Sequence, residues 1–381
     1  MSVHLHWFLP TTGDSRSDLS VGDAVTAVSG TREVGRSPRA SRRAPTVDYL
    51  GQIARSAEQL GFEAALTPTG SDCEDAWIST AALIQVTERL KFLVAFRPGV
   101  LSPTLAAQMA ATYQRISGGR LLLNVVTGGE DAEQRRFGDD LSKDDRYART
   151  GEFLQVLRAL FEGAPVTYRG DHLWVEDAVL PDPPALPEIF FGGSSPAAVD
   201  VAAKYADVYL TWGEPPAQVA EKIAAVRRRA AQVGREIRFG IRLHVISRPT
   251  SQEAWQQADR LLEGLGPEQI AKAQARQQAA QSEGQRRMTA LHGGRTDQLE
   301  IAPNLWAGIG LVRGGAGTAL VGSHEEGADR IAEYHELGLD HFVLSGYPHL
   351  EEAYHFGEGV RPVLAARGLL GDGASSQSRV A

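Results

Sequence analysis

Eight short, almost continuously apolar runs recur along the 381-residue chain, and most end in a cluster of Gly, Pro, Ser or Thr. They are His4–Phe8, Ala64–Leu66, Leu90–Phe96, Leu121–Val126, Glu188–Phe191, Val208–Leu210, Arg238–Ser247 and His341–Leu344. A strand with one wet face alternates apolar and polar residues; runs without alternation predict strands covered on both faces, as in a parallel sheet. Helical periodicity fills the intervals. Val47, Leu50, Ile53, Ala54, Ala57 and Leu60 share one helix face and Gly61 ends it; 104–116, 151–161, 196–205, 217–233, 253–262 and 326–337 read the same way. Eight strands alternating with helices predict an α/β fold, a (β/α)8 TIM barrel with insertions. A doubly wound dinucleotide-binding sheet would want G-x-G-x-x-G after the first strand, where Pro10-Thr11-Thr12-Gly13-Asp14 stands instead.

Residues 1–365 read as a single barrel domain, with three stretches that a minimal barrel does not need. The polar segment 15–45, with Arg32, Arg36, Arg39, Arg42 and Arg43, predicts a long basic loop. Residues 166–175 (VTYRGDHLWV) alternate about a Gly-Asp turn and predict an inserted hairpin. Residues 252–303, rich in Gln, Ala and Arg, predict a helical insert and lid. Residues 366–381 are expected to be a flexible tail.

Composition removes several function classes. With 47 Asp plus Glu against 39 Lys plus Arg, the formal charge is -8, which argues against a nucleic-acid partner held by a global positive field. No run of about 20 apolar residues exists to span a membrane. The opening MSVHLHWFLPTTGD lacks the basic and apolar regions of a secretory leader, so a cytoplasmic protein is expected. The single cysteine, Cys73, rules out an internal disulfide and an all-cysteine metal site, and the ten histidines show no H-x-x-x-H pair, so no metal is expected.

Catalytic groups of such barrels sit at the carboxyl ends of the strands. In Arg242-Leu243-His244 the first and third side chains project to one face of a strand, into the barrel. Two such groups fit either a structural ion pair or an anion site. Arg313-Gly314-Gly315-Ala316-Gly317 is either a plain turn or a flexible loop that swings a guanidinium over an oxyanion. Gly192-Gly193-Ser194-Ser195 ahead of a Pro196 helix is either an ordinary cap or a phosphate cradle at a helix N-terminus. Tyr347 and His349 offer a phenol and an imidazole at the barrel mouth, where both can also simply pack, and Trp212 can wall a ligand or join the core. Cys73 opens a helix whose dipole favours the thiolate, but Glu74 and Asp75 oppose that, so covalent catalysis is not expected.

The stretches Phe8-Leu9-Pro10-Thr11, Pro68-Thr69-Gly70, Cys73-Glu74-Asp75-Ala76-Trp77, Phe191-Gly192-Gly193-Ser194-Ser195, Leu210-Thr211-Trp212-Gly213-Glu214-Pro215-Pro216, Phe239 to Ile246, Asn304-Leu305-Trp306-Ala307-Gly308 and Leu344 to Glu352 closely resemble the FMNH2-dependent alkanesulfonate monooxygenases of the bacterial luciferase-like family. The likeness covers roughly residues 1–14 and 46–365. It implies a two-component system. A separate NAD(P)H-dependent FMN reductase delivers FMNH2, and this chain combines it with O2 and an alkanesulfonate to give aldehyde, sulfite, FMN and water. It also implies a homo-oligomer, dimer or tetramer. By the same resemblance Arg242, His244, Arg313 and Tyr347 are the catalytic group, with Trp212 and His349 completing the substrate pocket. The flavin phosphate falls to Gly192, Gly193, Ser194, Ser195 and Tyr147, the ring to Asn124 and Thr127, and Cys73 lies near the flavin in a supporting role. Which group takes the α-proton stays open between Arg242, His244 and the flavin itself.

Two departures from the family pattern stand out. Thr12 occupies the place of a histidine, and the 15–45 loop, in which Glu33 matches an acidic residue, is longer and more basic than usual. Rival readings are a methanesulfonate- or sulfone-preferring monooxygenase, a deazaflavin-dependent oxidoreductase of the same superfamily, and a non-catalytic flavin-binding protein. Chain-length preference is not readable from these motifs.

Overall fold

The computed structural model describes residues 2–15, 19 and 42–371. The eight predicted strands form as β1 (His4–Phe8), β2 (Ala64–Thr67), β3 (Lys91–Phe96), β4 (Leu121–Val125), β5 (Ile189–Phe191), β6 (Val208–Trp212), β7 (Arg238–Arg248) and β8 (His341–Ser345). Each pairs in parallel with the next, and β8 returns to β1 through His4↔His341 and His6↔Val343, closing a (β/α)8 TIM barrel. Phe8, Leu66, Leu93, Leu122, Phe190 and Val343 fill the ring, and a larger apolar shell lies between the ring and its helices. The lack of alternation in the runs has this cause: both faces are covered.

The barrel helices are α1 (Val47–Gln59), α2 (Ala76–Leu83), α3 (Pro103–Ser117), α4 (Lys143–Phe161), α5 (Pro196–Tyr205), α6 (Pro216–Gln232), α7 (His324–Glu336) and α8 (His349–Tyr354). Many of the polar residues that precede them are N-caps. Thr46, Asp75, Ser102, Ser142, Ser195 and Ser323 each accept a backbone N–H from the first turn that follows. Helix α4 begins at Lys143 rather than 151, because its first two turns are polar and carry no apolar stripe.

The inserts extend the ring. Val166–Arg169 and Trp174–Ala178 pair as an antiparallel hairpin. Strand β7 is 11 residues long; from His244 onward it leaves β8 and pairs with Ala319–Ser323, which carries Leu305–Trp306 and Glu300–Ala302 in turn. The 252–303 segment is thus helical over Ser251–Leu262, Pro267–Ala279 and Glu283–His292, but ends in a strand, because the accessory sheet supplies partners for 300–302. Residues 366–371, expected to belong to a flexible tail, are instead ordered against the barrel. Leu370 bridges to Val3, and the Val3 N–H donates to the Leu369 carbonyl at 2.8 Å, tying 366–371 to the barrel; 372–381 lie outside the described residues. Of the 15–45 loop, Asp14–Ser15 pairs with Arg42–Arg43 and Leu19 is buried; Arg32, Glu33, Arg36 and Arg39 lie outside the described residues.

At the amino end of the barrel, imidazoles line up. His6 Nε2 lies 3.0 Å from His341 Nδ1, and Arg238 Nη1 lies 3.3 Å from His341 Nε2. Arginine can only donate, so His341 Nε2 accepts, and Nδ1 carries the proton given to His6. Among the described residues no helix is long and apolar enough to cross a membrane.

Candidate active site

The carboxyl ends of the strands open into a cavity of about 430 Å³. This lies within the range of small-molecule and cofactor sites, about 300–1,000 Å³. Arg242, Arg313, Trp212, Cys73, Asn124, Thr127, Tyr147, Gly192, Gly193, Ser194 and Ser195 all line it, although they come from segments far apart in the chain.

One part of the wall is a glycine-rich turn at a helix N-terminus, 192–195. A Cβ at Gly192 would sit 2.6 Å from the Leu210 carbonyl oxygen, and one at Gly193 would sit 2.5 Å from the Ala198 Cβ. Only glycine lets the backbone pass here, and its N–H groups then lead into the N-terminus of α5. Ser195 caps that helix, its Oγ accepting from the Ala198 N–H at 3.3 Å. It also meets the hydroxyl of Tyr147, whose pKa burial raises, so that the phenol stays a neutral donor. Tyr209 fixes the loop from behind, donating to the Gly193 carbonyl at 2.6 Å.

The second feature is cationic. Arg242 lies 4.6 Å and Arg313 5.8 Å from the centre of the Phe8 ring, so two guanidinium groups lie over one aromatic ring. Arg242, on β7, is buried and donates to the Leu243 carbonyl at 2.7 Å. Arg313 donates to Gly314 and Ala316 carbonyls at 3.0 and 3.3 Å, and the Gly315 N–H is held by Gln285 Oε1 at 2.8 Å.

A roof comes from the helical insert. Ala280, Ser282 and Gln285 line the cavity, and Gly284 packs so close to Trp212 that a Cβ there would lie 2.9 Å from the indole. Two ion pairs anchor this roof: Arg276 to Glu130 at 2.7 Å, and Arg287 to Glu214 at 2.6 Å. Glu214 is fully buried and also takes Lys222 at 2.9 Å. Burial alone would raise its carboxyl pKa, but the Arg287 hydrogen bonds and the Lys222 charge together outweigh that and hold it below the ordinary value.

Three of the expected pocket residues sit one layer behind the wall. His244, Tyr347 and His349 are buried and do not line the cavity. Their rings form a continuous stack, His244 on Tyr347 at 5.2 Å and Tyr347 edge-on to His349 at 5.1 Å. His244 Nε2 faces the Ala316 carbonyl at 3.1 Å and so must donate; Nδ1 then accepts from Ser345 at 2.7 Å. Burial, with Arg242 and Arg313 nearby, lowers the His244 pKa well below its usual value, so the ring is neutral. His349 Nδ1 donates to Asp14 at 2.8 Å, and Asp14 also accepts from Tyr49 at 2.6 Å. Cys73 precedes α2 rather than opening it: Asp75 is the cap, and the Cys73 N–H turns back to the Gly70 carbonyl at 3.1 Å. The expected dipole effect on the thiol therefore has no helix turn to act through.

Sequence reasoning missed Arg97, Lys143, Gln285 and Phe8 on the cavity wall, and Asp14 and Glu214 beneath it. The position of Arg97 directly after a barrel strand was the available signal for that residue.

Known proteins share this architecture. A riboflavin lyase, solved with modified FMN and riboflavin, superposes with TM-score 0.77 at 21% identity, covering 97% of this chain and 93% of that one. DmoA from Hyphomicrobium sulfonivorans gives 0.76 at 20%, covering 98% and 90%. The EDTA monooxygenase of Chelativorans sp. BNC1 gives 0.72 at 19%, covering 97% and 95%. At these identities the likeness establishes the fold. The sequence profile of the luciferase-like monooxygenases matches residues 5–341, nearly the whole barrel, and the chain belongs to that family.

Proposed function

We propose that the chain is an FMNH2- and O2-dependent alkanesulfonate monooxygenase, the oxygenase half of a two-component system served by an NAD(P)H-dependent FMN reductase. The observation that carries this reading is the convergence of Arg242 and Arg313 on Phe8, in the same cavity as the Gly192–Ser195 cradle. A sulfonate is a permanent anion with three acceptor oxygens, so it calls for fixed positive charge rather than a titrating base. Two guanidinium groups held near one ring repel each other, and an anion between them offsets that repulsion.

The cradle fits a flavin phosphate: glycine N–H groups, two serine hydroxyls and the neutral Tyr147 phenol converge there. Asn124 and Thr127, on the β4 side, flank the space left for the ring, with Cys73 in polar support. Held there, reduced FMN would supply the two electrons with which O2 gives one oxygen atom to water and one to the aldehyde, sulfite being the other product. The protein's part is to bind, orient and exclude water. Arg242 and Arg313 hold the sulfonate oxygens, Trp212 walls the alkyl chain, and the roof helices keep bulk water from the reacting centre. His244 has both nitrogens committed and is neutral, so it positions the Arg313 loop through Ala316 instead of taking the α-proton.

The riboflavin lyase of the same fold, solved with a modified FMN, supports a flavin in this cavity. The direct test supplies FMNH2, O2 and C1 to C10 sulfonates and measures sulfite. Sulfite release in step with aldehyde supports the reading. Tight FMNH2 binding with no sulfite at any chain length contradicts it. A dimer or tetramer is proposed for the working enzyme, and light scattering checks it.

A further inference from the structure

Arg97 follows β3 on the cavity wall, level with Val126 of the next strand, whose N–H donates to the Phe96 carbonyl at 3.0 Å. Its side chain is only 6% exposed. One nitrogen, Nη2, pairs with Glu133 Oε2 at 2.7 Å, and the guanidinium carbon lies 5.2 Å from the centre of the Phe137 ring. The other two nitrogens, Nε and Nη1, are buried with no hydrogen-bond partner. A guanidinium has five N–H groups, and the single bond to Glu133 leaves its charge only partly compensated within the protein. Glu133 is itself divided, since its Oε1 accepts the Ser71 N–H at 3.0 Å. It therefore holds Arg97 in place without saturating it. Around the pair stand Gly70, which a Cβ would bring to 3.1 Å from Glu133 and 3.4 Å from Cys73 Sγ, and Thr127, whose Oγ1 is buried and unpartnered.

Building on the flavin assignment above, we infer that Arg97 is a further cofactor-facing residue: its guanidinium, held in the cavity wall, places a positive charge against the N1–C2=O edge of the reduced isoalloxazine. That edge is where the reduced ring carries negative charge once N1 has lost its proton. The sulfonate cations and the phosphate cradle are already committed to other anions, which leaves Arg97 to serve this one. Besides Arg97, Glu133 and the two sulfonate cations, the charged groups lining the cavity are Asp72, Glu130, Lys143, Lys222, Arg276 and Glu283. Glu130 and Arg276 neutralise each other, and Asp72 faces Arg136 at 4.0 Å, so neither pair competes strongly for the ring.

The test is an anaerobic absorbance titration of protein-bound, chemically reduced FMN against pH, where the neutral and anionic reduced rings differ in spectrum. An opposite charge at contact distance shifts an ionisation by roughly 1–3 units. Removing it in Arg97→Ala should raise the N1 ionisation of bound flavin by about 1 unit or more and weaken FMNH2 binding about tenfold. Arg97→Lys should recover most of both. Glu133→Gln, which leaves the cation but strips its counter-charge, should move the ionisation the opposite way, and it serves as the second arm if Arg97→Ala folds poorly. An unchanged titration in Arg97→Ala at full flavin occupancy, or a Glu133→Gln shift in the same direction as Arg97→Ala, overturns the inference. Wild-type protein that binds FMNH2 but releases no sulfite would sink the sulfonate reading alone; wild-type protein that does not bind FMNH2 would sink both.

Discussion

Replacing Arg287 by Ala cuts one of the two ion pairs that hold the roof. Arg287 reaches Glu214 through two charge-assisted hydrogen bonds, Nε at 2.7 Å and Nη2 at 2.6 Å. Bonds to charged groups contribute about 1.5–3 kcal/mol each when buried. Here the arginine is 33% exposed and Glu214 keeps Lys222, so the pair is worth less than that sum. A net loss of about 2 kcal/mol follows, or roughly thirtyfold in the ratio of docked to undocked roof. Hydrogen exchange should therefore accelerate about thirtyfold in peptides covering 267–292 while β1 to β8 keep their protection. Flavin oxidation should also run ahead of sulfite release, because water then reaches the cavity. Glu214→Gln gives the contrast. It strips charge from a fully buried acceptor and strands Lys222, whose side chain is 8% exposed, so global stability should fall by about 3–5 kcal/mol. Unchanged exchange over 267–292 in Arg287→Ala, or equal loss of protection in the barrel strands, would refute the latch.

Arg313→Ala should abolish sulfite release while leaving FMNH2 affinity within about threefold, measured by fluorescence quenching; equal loss of both would contradict the division between sulfonate and flavin sites. Gly193→Ala forces a Cβ to within 2.5 Å of the Ala198 Cβ and 3.0 Å of the Tyr147 oxygen, so FMNH2 affinity should drop at least about tenfold, at about 1–3 kcal/mol of stability, in a calorimetric titration and a thermal melt. Burial, the main cause, lowers the His6 pKa from 6.5 to about 4, so between those values the unfolded chain binds a proton that the folded chain refuses. Stability should be intact above about pH 6.5, decline by on the order of 3 kcal/mol as pH falls towards 4, and lose nothing further from this group below that. His6→Gln should flatten the decline in denaturant melts, and an identical pH profile would show that the acid sensitivity arises elsewhere.

Much of the barrel was legible because burial on both faces leaves an unmistakable mark on sequence. Runs such as Leu121–Val126, and helix starts such as Ser195-Pro196, carry their own explanation. The accessory strands were not legible: Glu300–Ala302 is half-exposed and has no two-sided burial signal, and the short buried run Ala319–Val321 takes its place from the overlong β7 that it extends. Within the site, residue type told which side chains face the barrel but not how far along its axis each sits. Arg242 and His244 share a face of β7, yet only Arg242 meets the cavity, since the 314–318 loop covers His244. Arg97, Glu214 and Asp14 escaped for a different reason: each takes its meaning from a partner distant in sequence, Glu133, Arg287 and His349 respectively.

Strand β7 changes neighbours at His244, which pairs with Ser345 on one side and Ala319 on the other. Backbone rungs on both flanks make that residue a fixed surveyor's mark, from which Arg242 is two steps down and against which the Arg313 loop rests through Ala316. Nature or an engineer wishing to admit a bulkier substrate must then reshape the side chains and the roof, because the rung that carries Arg242 cannot slide.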